Sequence, residues 1–282
     1  MINNNIEEVY NKSLELSRTH YENFPVVSLF VPKYLRKHVA VVYAFARIAD
    51  DMADEGDIPA GLRLKNLDRF EDDFNEALKG NFRDPFWQAL VYTIKERQLN
   101  PVHFTDLLKA FKQDVVKKRY ASFPEILDYC AHSANPVGRI ILELYGLRDE
   151  KMLQYSDDIC TGLQLTNFYQ DMKTDYERGR IYIPKDEMER FNVSENDFEL
   201  NENNANFKLL IKYQVDRVRE LFVTGRQLLD YLPKLLKLEI KWTVYGGERI
   251  LYKIEKNDFD VLSKRPKLSR PEYLGLIFKA II

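Results

Sequence analysis

Cysteine is nearly absent from this chain: Cys130 and Cys160 are the only two in 282 residues. They show no metal-ligand spacing and no redox motif, and they fit a reducing compartment. Long apolar runs are missing as well. The longest candidate, HVAVVYAFA, falls well short of the roughly 18 residues that cross a bilayer. The opening MINNNIEEVYNKS carries acids and no apolar centre, so it does not read as a secretory signal. A soluble, cytoplasmic protein is expected. A basic excess is also lacking: Lys+Arg 42 against Asp+Glu 44 leaves a net charge of -2, which argues against a general nucleic-acid binder. No stretch alternates with period two for long enough to suggest a sheet, and no repeat, low-complexity linker or composition shift divides the chain. One all-α domain over residues 1–282 is the simplest expectation.

What the chain does have is apolar mass and helical period. Hydrophobic residues make up 45%, with 17 Phe and 17 Tyr. Ordinary core filling accounts for many aromatic rings, and an aromatic-lined pocket for an apolar or cationic ligand would use others. Pro32 suits the start of a helix running through His38, Val42, Phe45 and Ala49. Further helices are expected over 60–79, 84–98, 101–118, 123–133 and 136–146, with a long one over 149–176. The stretch ERGRIYIP (177–184) reads as a loop, and so do the Asn- and Glu-rich residues 194–206. Helices resume over 205–230, 232–255 and 270–281.

Two acid clusters keep a four-residue beat. The first, in RIADDMADE, holds Asp50, Asp51, Asp54 and Glu55. The second, in LTNFYQDMKTD, holds Asn167, Asp171 and Asp175 at i, i+4 and i+8. On a helix such residues share one face, roughly 6 Å apart along the axis. Each cluster is then a ladder of oxygen ligands, and two ladders brought face to face would repel without cations between them. Mg²⁺ wants oxygen ligands, keeps some waters and favours bound phosphate, so the pattern points to chemistry on a diphosphate. A solvated acidic helix face is the plainer alternative. Against it, the first cluster follows the apolar run VAVVYAFARIA, and the second is interleaved with Leu163, Leu165, Phe168, Tyr169 and Met172. Arg178, Arg180 and Tyr182 come directly after, where guanidinium groups can clamp phosphate oxygens. Mg²⁺ and Arg would ease departure of a diphosphate from an allylic or cyclopropylcarbinyl carbon, and an apolar aromatic cavity would shelter the cation.

At these residues the chain resembles the squalene/phytoene synthase family, the head-to-head isoprenoid synthases, over nearly its whole length. YAFARIADDMADE (43–55) is similar to the family's first aspartate motif, and NFYQDMKTDYERGRIYIP (167–184) to its second motif and following flap. The resemblance implies a single all-α isoprenoid-synthase domain with a central cavity, acting on prenyl diphosphates with Mg²⁺. It places Asp50, Asp51, Asp54, Asn167, Asp171 and Asp175 at the metal and diphosphate, with Arg180 assisting. Tyr43 and Arg47 match pocket positions, and Tyr129 matches a tyrosine near the reacting carbons. His20, Phe24 and Ser28 fall in the segment lining the diphosphate end and its lid.

Two stretches, HYENFPVVSLFVP (20–32) and CAHSANPVGR (130–139), look like the hydroxysqualene synthases within that family. That branch ionises presqualene diphosphate and adds water, with no NADPH, in keeping with the lack of a G-x-G-x-x-G fingerprint. A partner enzyme would supply the presqualene diphosphate. Gln170 stands where many relatives have Arg, Asn135-Pro136 replaces a Gly-containing step, and Glu22 replaces a basic residue. Gln170 or Asn135 is a candidate for placing the attacking water. The alternatives are condensation of two prenyl diphosphates, a class I terpene cyclase, or a non-catalytic helical assembly factor. The tail SKRPKLSRPEYLGLIFKAII is basic and partly amphipathic, which suits either peripheral contact with an anionic membrane or a closing helix packed on the domain.

Overall fold

The computed structural model describes residues 4–19 and 30–281, and these are helical throughout, with no strand. In chain order the helices are α1 (Asn4–Thr19), α2 (Lys33–Asp54), α3 (Ala60–Leu78), α4 (Pro85–Arg97), α5 (Val102–Val116), α6 (Phe123–Ser133) and α7 (Asn135–Leu144). They continue as α8 (Glu150–Gln170), α9 (Met172–Glu177), α10 (Lys185–Arg190), α11 (Glu195–Glu199), α12 (Ala205–Gly225), α13 (Lys234–Lys256) and α14 (Arg270–Ile281). Among the described residues no helix is long and apolar enough to cross a membrane.

Two compact units are distinguished. One comprises residues 1–116 and 136–153, the other 117–135 and 154–282. In the first, α2 is the central element. Its period of apolar residues buries Leu35, Val41, Phe45 and Ala49 completely. Phe45 lies 5.2 Å from both Phe70 and Phe104, and 5.4 Å from Phe74, so α2, α3 and α5 share one aromatic core. Pro32 sits at the N-cap of α2 (φ -54), just outside the first turn. Asp84 caps α4 by accepting from the Phe86 amide at 2.8 Å, with Pro85 at the next position.

In the second unit, close helix packing depends on glycine. Phe222 of α12 wedges between Gly162 of α8 and Gly247 of α13. A Cβ at either glycine would lie 2.9 or 2.8 Å from the Phe222 ring. Beneath, a buried polar network ties three helices. Tyr169 donates to Gln214 at 2.9 Å, Gln214 donates to Glu187 at 2.5 Å, and Arg217 pairs with Glu187 while its guanidinium covers Phe123 at 3.6 Å.

Three expectations are corrected here, and two helices, α1 and α10 (residues 185–190), form where none was expected. The stretch 194–206 is not all loop, because Ser194 and Asp197 close a capping box that starts α11. The helix expected over 205–230 leaves α geometry at Gly225 and tightens into a 3-10 turn over Arg226–Asp230. The long helix over 149–176 is interrupted at Asp171 (φ -102, ψ 10), which divides it into α8 and α9.

Candidate active site

In the first unit, one face of α2 carries Tyr43, Arg47, Asp50 and Asp51. Arg47 is its centre. Its Nη2 lies 2.6 Å from Asp51 Oδ1 and 2.9 Å from Glu55 Oε1, and its Nη1 lies 3.4 Å from Asp50 Oδ2. Burial pulls the guanidinium's pKa down, but Asp51, Asp50, Tyr43 and Glu55 outweigh it and hold the group above its ordinary value. Asp51 Oδ1 is buried, and its approach to Arg47 lacks the alignment of a hydrogen bond. Asp54, at the end of the helix, is exposed.

In the second unit, Asn167, Asp171 and Asp175 stay on successive turns despite the break. The Asp171 amide donates to the Asn167 carbonyl at 2.8 Å, and the Asp175 amide to the Asp171 carbonyl at 2.8 Å. Asn167 is exposed, and Asp171 and Asp175 are half-buried. The chain then turns through Gly179 into the stretch 180–184. Arg180 donates its amide to Asp175 at 2.7 Å, Ile181 donates to Lys118 at 3.0 Å, and Arg119 donates to the Gly179 carbonyl at 2.5 Å. These bonds lay the flap along residues 118–120.

The flap closes an aromatic group. Tyr182 stacks on Phe168 with ring centres 3.7 Å apart and 5° between planes. Tyr129 lies 5.8 Å from both rings, and Tyr120 lies 5.7 Å from Tyr182. A small cavity of about 10 Å³ is lined by Phe168, Met172, Asp175, Arg180 and Ile181–Ile183. Carboxylate, guanidinium and ring faces therefore meet at one point. Cys130, nearby on α6, is inert: burial first, and Cys160 second, push its thiol up to about 12.

Gln170 is only 2% exposed. Its Nε2 donates to the Pro266 carbonyl at 2.7 Å, and its Oε1 is buried without a hydrogen-bond partner. Asn135 accepts from Thr161 Oγ1 at 3.0 Å. The segment beside Gln170 supplies a residue that motif reading does not find: Arg265 grips Asp171 with both ends of its guanidinium, Nη2 to Oδ2 at 2.9 Å and Nε to Oδ1. The only sign of it in the sequence is the basic stretch SKRPKLSR, which reads equally well as a surface tail. His20, Phe24, Glu22 and Ser28 lie outside the described residues.

The donor set suits a hard divalent cation. Among the described residues no three acidic, His or Cys side chains close a cage by themselves. Mg²⁺ does not need one, since it is held by one or two carboxylates together with waters and substrate phosphate. The second ladder offers two carboxylates and the first at least that many, with Arg47 and Arg265 beside them as counter-charge.

This helical scaffold, with its two acid ladders, matches the squalene/phytoene synthase family model over residues 17–272, and the chain belongs to that family. It is thus an enzyme of the head-to-head prenyl synthase class, whose substrates are prenyl diphosphates. Among individual relatives, it is 32% identical over 271 residues to the hydroxysqualene synthase of Rhodopseudomonas palustris, covering 95% of this chain and 91% of that protein. It is 28% identical to the 15-cis-phytoene synthase of Synechocystis, covering 95% and 83%. The crystal structure of squalene synthase HpnC from Alicyclobacillus acidocaldarius superposes with a TM-score of 0.86 at 36% identity, covering 92% of this chain and 97% of that one.

Proposed function

We propose that the protein is a Mg²⁺-dependent hydroxysqualene synthase, converting presqualene diphosphate and water to hydroxysqualene and diphosphate. The observation that carries this reading is the junction of Asp175 and Arg180 with the stacked Phe168 and Tyr182 at one cavity. Loss of a diphosphate needs charge stabilisation at the leaving oxygens, and the carbon left behind needs a dry, electron-rich wall. Likeness to a hydroxysqualene synthase at 32% identity supports this product over phytoene.

In this reading each ladder holds metal and diphosphate oxygens, Asp50, Asp51 and Asp54 in the first unit and Asn167, Asp171 and Asp175 in the second. Mg²⁺, when bound, would neutralise charge developing on the departing diphosphate. Arg47 and Arg180 donate to phosphate oxygens, and Arg47 keeps its charge at any working pH. Tyr43 orders the wall beside Arg47. Tyr129, Phe168 and Tyr182 present ring faces to the cation and exclude bulk water. Gln170, buried at the end of α8, is the candidate for holding the one water that reacts. No NADPH is required, and a separate presqualene diphosphate synthase would supply the substrate. Likeness to a phytoene synthase at 28% identity favours a second reading, condensation of two prenyl diphosphates.

The test is to incubate purified protein and Mg²⁺ with presqualene diphosphate or farnesyl diphosphate, with and without NADPH, and identify the lipids. Hydroxysqualene from presqualene diphosphate, with no need for NADPH, is the expected result. Formation of presqualene diphosphate from farnesyl diphosphate would overturn it. A Gln170→Ala variant making hydroxysqualene at an unchanged rate would remove Gln170 from water placement.

A further inference from the structure

Helix α14 packs one face on the second unit and leaves the other open. Leu276 and Ala280 are buried, and Tyr273 meets Trp242 edge-on with ring centres 4.8 Å apart. On the opposite side Leu274, Phe278 and Ile281 are 56%, 67% and 56% exposed. At helical spacing these three and Arg270 fall within an arc of about 80°. They form one stripe rather than scattered apolar tips.

Charge around the stripe has one sign. Arg270 is exposed at its start, and Lys264 and Lys267 are exposed in the segment leading into the helix. The helix's single acid, Glu272, is turned inward. It is held by Lys253 at 2.7 Å, by Arg249 at 2.8 Å and by the Ser269 hydroxyl at 2.8 Å.

We propose that this face of α14, with the cationic segment before it, seats the protein on an anionic lipid bilayer. An interfacial helix of this kind buries its apolar side chains at the headgroup boundary while flanking Lys and Arg meet lipid phosphates. A second copy of the chain is the poorer occupant. A two-fold pairing would set like charges against each other. Three apolar side chains also fall far short of the roughly 800 Å² per partner that a standard interface covers. The proposal stands whichever prenyl product is made.

The test uses the full chain and flotation with vesicles of phosphatidylcholine containing about one-third phosphatidylglycerol. The protein should float with these vesicles at low salt, be released as salt rises, and float poorly with phosphatidylcholine alone. The triple variant L274Q/F278Q/I281Q should bind about tenfold more weakly. The variant K267Q/R270Q should bind severalfold more weakly and lose much of its salt dependence. Both should keep wild-type thermal melting and wild-type turnover of soluble substrate. No flotation of the wild type, equal flotation of the triple variant, or equal binding to uncharged vesicles would overturn the proposal. So would a dimer in light scattering that the triple variant abolishes without changing flotation.

Discussion

The two acid ladders share a spacing but differ in the origin of their counter-charge. In the first, Arg47 neutralises Asp50, Asp51 and Glu55 from within or just beyond the same continuous helix. In the second, the helix is interrupted at Asp171, and that carboxylate is met by Arg265, 94 residues away in sequence. A locally neutralised ladder is set as soon as its helix forms. The other depends on the segment after α13 being in place, held by the Gln170 bond to Pro266 and the Lys253 bond to the Lys267 carbonyl at 2.7 Å.

The strongest way to break the comparison is to remove the support beneath the second ladder. Glu187→Ala leaves Arg217 and Gln214 without their buried partner, and should lower stability by about 3–5 kcal/mol in urea unfolding. Direct loss of a rung comes next. Asp50→Asn and Asp171→Asn should each lower Mg²⁺-dependent diphosphate release by about 10²–10³-fold, by analogy with losing one stabilising group at a developing negative charge. Wild-type turnover by either variant would remove that ladder from the chemistry.

A pH effect tests the first unit. His38 is buried, bonded to Thr93 Oγ1 at 2.9 Å, and burial drops its pKa from 6.5 to about 4. As pH falls through 6.5 the unfolded chain takes the proton first. The histidine's contribution is therefore present above 6.5, declines down to about pH 4, and then levels off. The expected loss is about 1–3 kcal/mol, and His38→Gln should flatten the slope of stability in that window. The smallest effect is Arg265→Gln. Its pair with Asp171 is partly exposed, so stability should fall by about 1 kcal/mol or less. Arg47→Gln should cost more, because it leaves three carboxylates crowded together. Equal losses would erase the distinction between the ladders.

Much of this was legible from the residues. Apolar period located α2 to α7, α13 and α14 within a few positions, and the starts of α8 and α12, because each buries one face in a core. The ladders were legible for the same reason: i, i+4 spacing is a property of the helix itself. α1 escaped although its sixteen residues bury Ile6 and Tyr10, and the rest of what escaped was set by single contacts. α10 and α11 have six and five residues, too few for a period to show. The break at Asp171 leaves the four-residue beat intact, so spacing carries no trace of it. Arg265 belongs to a stretch whose composition reads as surface, and only tertiary packing brings it to Asp171. Of the tail's two readings, α14 shows the packed helix, and its exposed face leaves the membrane reading to the flotation test.

Phe222 between Gly162 and Gly247 sets a tolerance for change in this scaffold. Phe222 leaves no room for a methyl group at either glycine, and at Gly247 Leu163 of α8 closes in as well. The second ladder is carried on α8, so its height above the neighbouring helices cannot drift by small substitutions along that seam. In the proposed function, adaptation to another product is then left to the rings at 129, 168 and 182. On that reading the seam fixes where charge is handled and leaves the aromatic group open to mutation.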